Sequence, residues 1–236
     1  MKVLVVLPVY NEEIILENNT LHLFNFLKNN LTDDWQIVLA DNGSTDDTAA
    51  ISKTLVARHP EKISYFYIPE KGRGGALRAA WLDFPADIYS YMDSDLATDL
   101  VFFPKLIEAV KNGYDVASGS RLLEESETER SLARDVPSKI FNFLLKIILN
   151  FKIKDSQCGF KAISRKAAQD LVPKIQDNHW FFDTELLFLA QKYNYKIKEL
   201  PIRWTEKQNR RRKSKVKVIK TALDYLKEIR RLKKSN

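Results

Sequence analysis

The chain of 236 residues has one cysteine, Cys158, so it can form no internal disulfide and no thiolate metal cage. That scarcity suits a reducing compartment, and Cys158 itself is expected to be a packed turn residue and not a nucleophile. Three histidines, His22, His59 and His179, stand at no metal-ligand spacing, which argues against a histidine-built metal centre. No run of about 18 apolar residues occurs, so no membrane-spanning helix is expected. The apolar start Val3 to Val9 is too short for a secretory signal and runs into Asn11 and Glu12. Internal repeats are absent, which excludes solenoids and propellers. What is present, 44% hydrophobic and 29% charged residues, describes an ordinary folded domain with a good core.

Acidic residues are scarce at the end of the chain. From Lys207 to Asn236 there are 13 Lys and Arg against two acids, Asp224 and Glu228, a net +11. The whole chain carries +7, so the other 206 residues carry +7 less +11, or −4. A mildly acidic body with a basic tail predicts an anionic partner met by the tail: a membrane surface, a phosphorylated lipid or a nucleic acid.

The unbroken run Val3 to Leu7 reads as a central parallel strand buried on both faces. A helix from about Glu12 to Asn29 follows, then a strand Gln36 to Ala40 closing on Asp41-Asn42-Gly43-Ser44. Further strands are expected at Ile63 to Ile68, Ile88 to Met92 and Val116 to Ser118, with helices at Gly74 to Leu82 and Leu100 to Asn112. This alternation predicts a doubly wound, mostly parallel sheet. Beyond it, Leu122 to Pro137 reads as a long irregular loop, and Ser138 to Phe151 as an apolar helix. A short strand Phe160 to Ser164, a helix Asp183 to Tyr193 and one strand Lys196 to Trp204 complete the body. Residues 1–206 are expected to form the catalytic domain, and 207–236 a basic loop followed by an amphipathic, membrane-facing helix from Val216 to Lys233. On that helix Ile219, Leu223, Leu226, Ile229 and Leu232 share one face.

The sequence Asp93-Ser94-Asp95 ends the Ile88 to Met92 strand and sets two carboxylates at a sheet rim, where open α/β folds bind ligands. At ~5 Å separation and an effective dielectric of ~20, two such charges repel by roughly 3 kcal/mol. Mg²⁺ or Mn²⁺ removes that cost and takes its remaining ligands from a diphosphate, so the motif points to a metal-dependent nucleotide-diphosphate site. Lys71-Gly72-Arg73-Gly74-Gly75 would bring backbone amides and two cations to a phosphate at a helix start. Its spacing is not that of a dinucleotide-binding fingerprint. Arg121 ends a strand at the same sheet edge as Asp95.

Together Pro8-Val9-Tyr10-Asn11-Glu12, Asp41-Asn42-Gly43-Ser44, Asp93-Ser94-Asp95 and Gly119-Ser120-Arg121 resemble glycosyltransferase family 2, inverting enzymes of the Rossmann-like GT-A fold. The narrower resemblance is to polyprenyl-phosphate sugar synthases. The segments Asp155 to Lys161 and Phe181 to Leu187 look most like the dolichyl-phosphate glucosyltransferase branch. It implies that Pro8, Tyr10, Glu12 and Asp41 line a nucleoside pocket, with Lys71 and Ser94 also on the nucleotide sugar. Asp93 and Asp95 would hold the metal and the ribose-diphosphate. Arg121, Arg134 and the Arg212, Ser214, Lys215 cluster would grip an acceptor phosphate, the run Arg210 to Arg212 leaving open which arginine corresponds. Glu185 opens a helix where related enzymes keep a general base. A phosphate acceptor is already ionised, so Glu185 is expected to order the site, with helix capping by Asp183 as the plain structural alternative.

The reaction so implied is transfer of a hexose, glucose from UDP-glucose on the branch resemblance, to a polyprenyl or dolichyl phosphate. The alternatives are GDP-mannose as donor or a non-lipid acceptor. Five or six tail cations facing an anionic bilayer, at ~1 kcal/mol each, would attract by roughly 5 kcal/mol. That describes a peripheral enzyme on the cytoplasmic face of a membrane; a membrane-anchored partner is the alternative. A nucleic-acid binder would explain the tail but not the carboxylates, and the body's −4 opposes wrapping a polyanion, so no nucleic acid is expected.

Overall fold

The computed structural model describes residues 1–129, 132–206 and 218–234, without the side chains of 132–134 and 218–223. Strand β1 (Lys2–Val9) explains the apolar run at its start. Leu4 and Val6 enter the core on one face, Val3, Val5 and Leu7 the core on the other, and all five are fully buried. β2 (Asp34–Asn42) and β4 (Ile88–Met92) flank it in parallel, with β3 (Ile63–Ile68) beyond β2. Helices α1 (Leu16–Asn30), α2 (Thr48–Arg58) and α4 (Phe103–Lys111) cover one face. The other is covered by α3 (Arg73–Asp83), α5 (Leu132–Leu149), α6 (Arg165–Leu171), α7 (Phe182–Lys192) and α8 (Val218–Lys234).

Parallel winding is interrupted once. β7 (Phe160–Ser164) lies antiparallel between β4 and β5 (Val116–Ser120), and β8 (Ile197–Pro201) closes the sheet parallel to β5. The strand order is β3-β2-β1-β4-β7-β5-β8, the mostly parallel α/β sheet that was expected. β7 carries the chain between Gly159 and the capped start of α6, where the Ser164 hydroxyl accepts from the Ala167 amide at 3.2 Å.

Three expectations are corrected. Residues 122–137 are not one irregular loop: β6 (Glu127–Glu129) lies within them, and α5 begins at Leu132 with Pro137 inside it. Lys196 to Trp204 is not one strand but β8 and β9 (Arg203–Thr205), the latter paired in parallel with β6. The break falls at Ile202, which turns into the core (1% exposed). On α8, Ile229 and Leu232 do not face outward; with Tyr225 they are buried in the core, and Leu226 remains exposed at 42%. Among the described residues no helix is long and apolar enough to cross a membrane.

Candidate active site

β4 delivers its two carboxylates into a tight turn. The Leu96 amide donates to the Asp93 carbonyl at 3.0 Å, and Leu96 takes a left-handed φ of 49° to make that closure. A non-glycine residue held there stores backbone strain, a feature that clusters at functional sites. Asp95 accepts from the Ala97 amide at 3.2 Å, and the Ser94 carbonyl accepts from the Asn19 side chain at 2.8 Å. Asp93 leans against Gly159, where a Cβ would come within 2.1 Å of its Oδ2. That glycine is there because the carboxylate fills the space a side chain would need.

Behind the turn lies a buried ion network. Arg73 donates to Asp93 Oδ1 from Nε (3.0 Å) and Nη2 (2.8 Å), and to Asp183 Oδ2 from Nη1 (2.8 Å). Its guanidinium lies over the rings of Tyr91 (5.0 Å) and Trp180 (5.5 Å). Lys161 donates to Asp183 Oδ1 at 2.9 Å and to the Cys158 carbonyl. Arg121 forks onto Asp155, Nε to Oδ2 at 2.7 Å and Nη2 to Oδ1 at 2.9 Å, a bidentate geometry. Three cations therefore meet three carboxylates, Asp93, Asp155 and Asp183. Burial opposes the Asp155 charge, yet Arg121 beside it holds the carboxyl down at about 2. Burial lifts Asp183 to about 6 against the pull of Arg73, and brings the Lys161 ammonium down to about 8.

The expected residues divide accordingly. Asp93, Ser94 and Asp95 do meet at the carboxyl end of β4, beside the Asp155 to Gly159 turn. Arg121 does not present its fork outward: Nε and Nη2 are spent on Asp155, which makes it an anchor for that turn. The glycine cluster does not leave its amides open for phosphate. Gly74 and Gly75 donate to the carbonyls of His179 and Asn178 at 3.1 and 3.0 Å, and a Cβ at Gly72 would sit 2.3 Å from the Asn178 carbonyl. The glycines let the 177–180 loop close on the start of α3. Lys71 instead lies exposed with its ammonium over Tyr10, 4.9 Å from the ring centre. Pro8 is buried at the end of β1, and Glu12 is buried with its amide on the Thr48 hydroxyl at 2.8 Å. Asp41 is fully buried and accepts from the Ser44 amide (2.9 Å) and the Tyr65 hydroxyl (2.8 Å). Glu185 accepts from the Asp177 amide at 2.9 Å and pairs with Arg231 of α8 at 2.8 Å. Asp183 does not cap α7; the Asp177 carboxylate does, accepting from the Phe181 and Phe182 amides at 3.0 Å. Cys158 is buried, and burial pushes its thiol up to about 12. The Arg134 side chain, Arg212, Ser214 and Lys215 lie outside the described residues. Sequence reasoning missed Arg73 as the hub, Lys161 as its neighbour on Asp183, and Asp155 as the partner of Arg121. Their only signal was a basic residue beside glycines and the quoted Asp155 to Lys161 segment.

The chain is similar to several known glycosyltransferases. AglD, a glycosyltransferase of Haloferax volcanii, is 38% identical over 210 residues, covering 88% of this chain and 34% of that protein. The dolichyl-phosphate beta-glucosyltransferases of Dictyostelium discoideum and Saccharomyces cerevisiae are each 31% identical, covering 86% and 94% of this chain and 66% and 72% of theirs. The chain thus spans about a third of AglD and about two thirds of the Dictyostelium protein. Among solved structures, glucosyl-3-phosphoglycerate synthase from Mycobacterium tuberculosis, with Mn²⁺, UDP and phosphoglyceric acid, shares the GT-A-like fold. Its TM-score is 0.66 at 19% identity, over 88% of this chain and 71% of that one. The model of glycosyl transferase family 2 matches residues 4–172, which run from β1 past α6 and hold the Asp93 to Asp95 turn and most of its network; the chain belongs to that family.

Proposed function

We propose that this chain is a metal-dependent, inverting hexosyltransferase that moves glucose from UDP-glucose to a polyprenyl or dolichyl phosphate. The observation that carries the reading is the pair Asp93 and Asp95 at a sheet rim, backed by a network already neutral in itself. A diphosphate arriving there brings charge that the buried cations, each matched to a carboxylate, have no surplus to offset. Among the described residues no three His, Cys, Asp or Glu group into a metal cage. Two hard carboxylates fit Mg²⁺ or Mn²⁺ whose other ligands are substrate oxygens and water. That cation, when bound, would neutralise the departing diphosphate. The solved relatives holding Mn²⁺ or Mg²⁺ with UDP support this assignment.

The chain's own residues would do the rest. Arg73 fixes the Asp93 rotamer through Oδ1. Tyr10 offers a stacking face and Lys71 a rim cation at the ends of β1 and β2, beside Pro8, Glu12 and Asp41, for the nucleoside. A phosphate oxygen of the acceptor attacks the anomeric carbon as the bond to the diphosphate oxygen breaks on the opposite face. No residue need take a proton, because the acceptor phosphate is ionised. That suits Asp183 and Glu185, which are both held in ion pairs. Positioning and charge neutralisation would then supply most of the acceleration. Arg134, Arg212, Ser214 and Lys215 are the proposed acceptor-phosphate grip, and the charge of the basic tail supports docking at the cytoplasmic face of an anionic membrane.

The relatives named dolichyl-phosphate beta-glucosyltransferase support glucose and dolichyl phosphate over mannose. The test is a panel of UDP- and GDP-sugars with Mg²⁺ or Mn²⁺, offered polyprenyl phosphate or phosphoglycerate and read by product mass. A glucosylated prenyl phosphate is expected; a glucosylated phosphoglycerate alone would replace the lipid reading.

A further inference from the structure

One surface of the molecule is not accounted for by the site. On α5 the side chains of Val136, Ile140, Phe143 and Ile147 are exposed at 50%, 55%, 61% and 64%. Their spacing of four, three and four residues places them on one helix face. The opposite face is built into the protein: Leu145 and Leu149 are in the core, and Asn142 accepts from the Ser156 amide (3.0 Å) and hydroxyl (2.8 Å). Ser138 reaches Gln157 at 3.3 Å. The helix is therefore fixed to the Asp155 to Gly159 turn of the site while offering an apolar ridge outward.

The charges beside the ridge are mainly positive: the one acid on α5, Asp135, is paired with Lys139 at 2.7 Å. From Val136 to Lys154 the sequence has no acid; Lys139 and Lys146 lie on α5 itself, both exposed. α8, which packs on α5 through Tyr225 and Phe141 (ring centres 4.8 Å apart), adds exposed Lys227 and Arg230 beside exposed Leu226, against one exposed acid, Asp224; Glu228 is paired with Arg231. Aliphatic and aromatic side chains flanked by cations match the interface of an anionic bilayer, where such a helix lies in the plane of the headgroups.

We infer that α5, not the apolar side of α8, is the element that enters an anionic lipid surface. Through Asn142 and Ser138 it would hold the rim of the site against that surface. The inference deepens the lipid-phosphate acceptor reading and rests on it, since an acceptor anchored by its prenyl tail must be met at the headgroup plane.

The experiment uses the whole chain without sugar donor or prenyl phosphate. Vesicles of phosphatidylcholine alone, or mixed with phosphatidylserine, are sedimented with wild type and with an Ile140→Glu/Ile147→Glu double variant. Both substitutions are at exposed positions, so the thermal midpoint should not change. Wild type is expected to bind the mixed vesicles and the double variant to bind about tenfold or more weakly. The emission of a Phe143→Trp variant is expected to shift to the blue when mixed vesicles are added. Equal binding by both proteins, the basic tail sufficing, would overturn the inference. So would an unshifted indole, or a wild-type dimer that the double variant breaks while vesicles retain neither protein. Glucose transfer is assayed separately with a short, water-soluble prenyl phosphate. If wild type fails there but binds vesicles through α5, the acceptor reading falls and the docking stands.

Discussion

Gly159 has no room for a methyl group, because Asp93 Oδ2 occupies the space. Gly159→Ala should displace the carboxylate and cut transfer at least ~100-fold, at a stability cost of about 1–3 kcal/mol. Steady-state kinetics beside urea denaturation separates the two effects. Asp95→Ala should abolish transfer, and Asp93→Ala should also destabilise, because it strips buried Arg73 of one of its two partners. Full activity in the Asp93/Asp95 double alanine variant would end the metal-site reading. The Asp155 to Arg121 pair sets an acid limit. A carboxyl held at about 2 against an ordinary value of 3.8 stabilises the fold by about 2 kcal/mol above pH 4. That contribution is lost as pH falls, about half of it by pH 3. Asp183, lifted to about 6, works in the opposite sense between its ordinary 3.8 and 6, so the Asp155 effect is read below pH 4. An Arg121→Met/Asp155→Leu variant should lose less stability than wild type between pH 5 and 3 in urea titrations.

At the scale of elements, α8 works as a brace. Ile229 and Leu232 are buried, and Arg231 reaches across to Glu185, whose other oxygen holds the Asp177 amide. The same loop supplies the carbonyls on which Gly74 and Gly75 close, one and two residues past Arg73. Ile229→Ala should cost about 2–4 kcal/mol in urea denaturation, and Leu226→Ala less than about 0.5. The 3.6-residue pattern of α8 was plain in the sequence, but periodicity names a face without saying whether protein or lipid covers it. The strands β1 and β2 were legible for a related reason: burial on both sides leaves continuous apolar runs with polar ends. β9 and the start of α5 were not, since a three-residue strand and a helix turn containing Pro137 have no period to detect. Nor was Arg73, because its partners are 20 and 110 residues away in the chain.

For the whole molecule, the proposed need for a divalent cation has a simple reading. Chelation should abolish transfer, and Mg²⁺ or Mn²⁺ should restore it without altering circular dichroism, because the buried charges are already balanced. Heating with and without the ion should show a higher midpoint only when UDP is also present, since most ligands would come from the nucleotide.

β7 running against its neighbours has a consequence for how this architecture can be divided. The first 120 residues look like a self-sufficient nucleotide module, yet the strand that joins β4 to β5 is borrowed from forty residues further on. An excised amino-terminal half would expose two unzipped edges in its middle, and it should aggregate where the full chain stays dispersed. The sheet that carries the Asp93 to Asp95 turn is thus woven from both halves of the chain, so neither half can be swapped or engineered as a separate cassette.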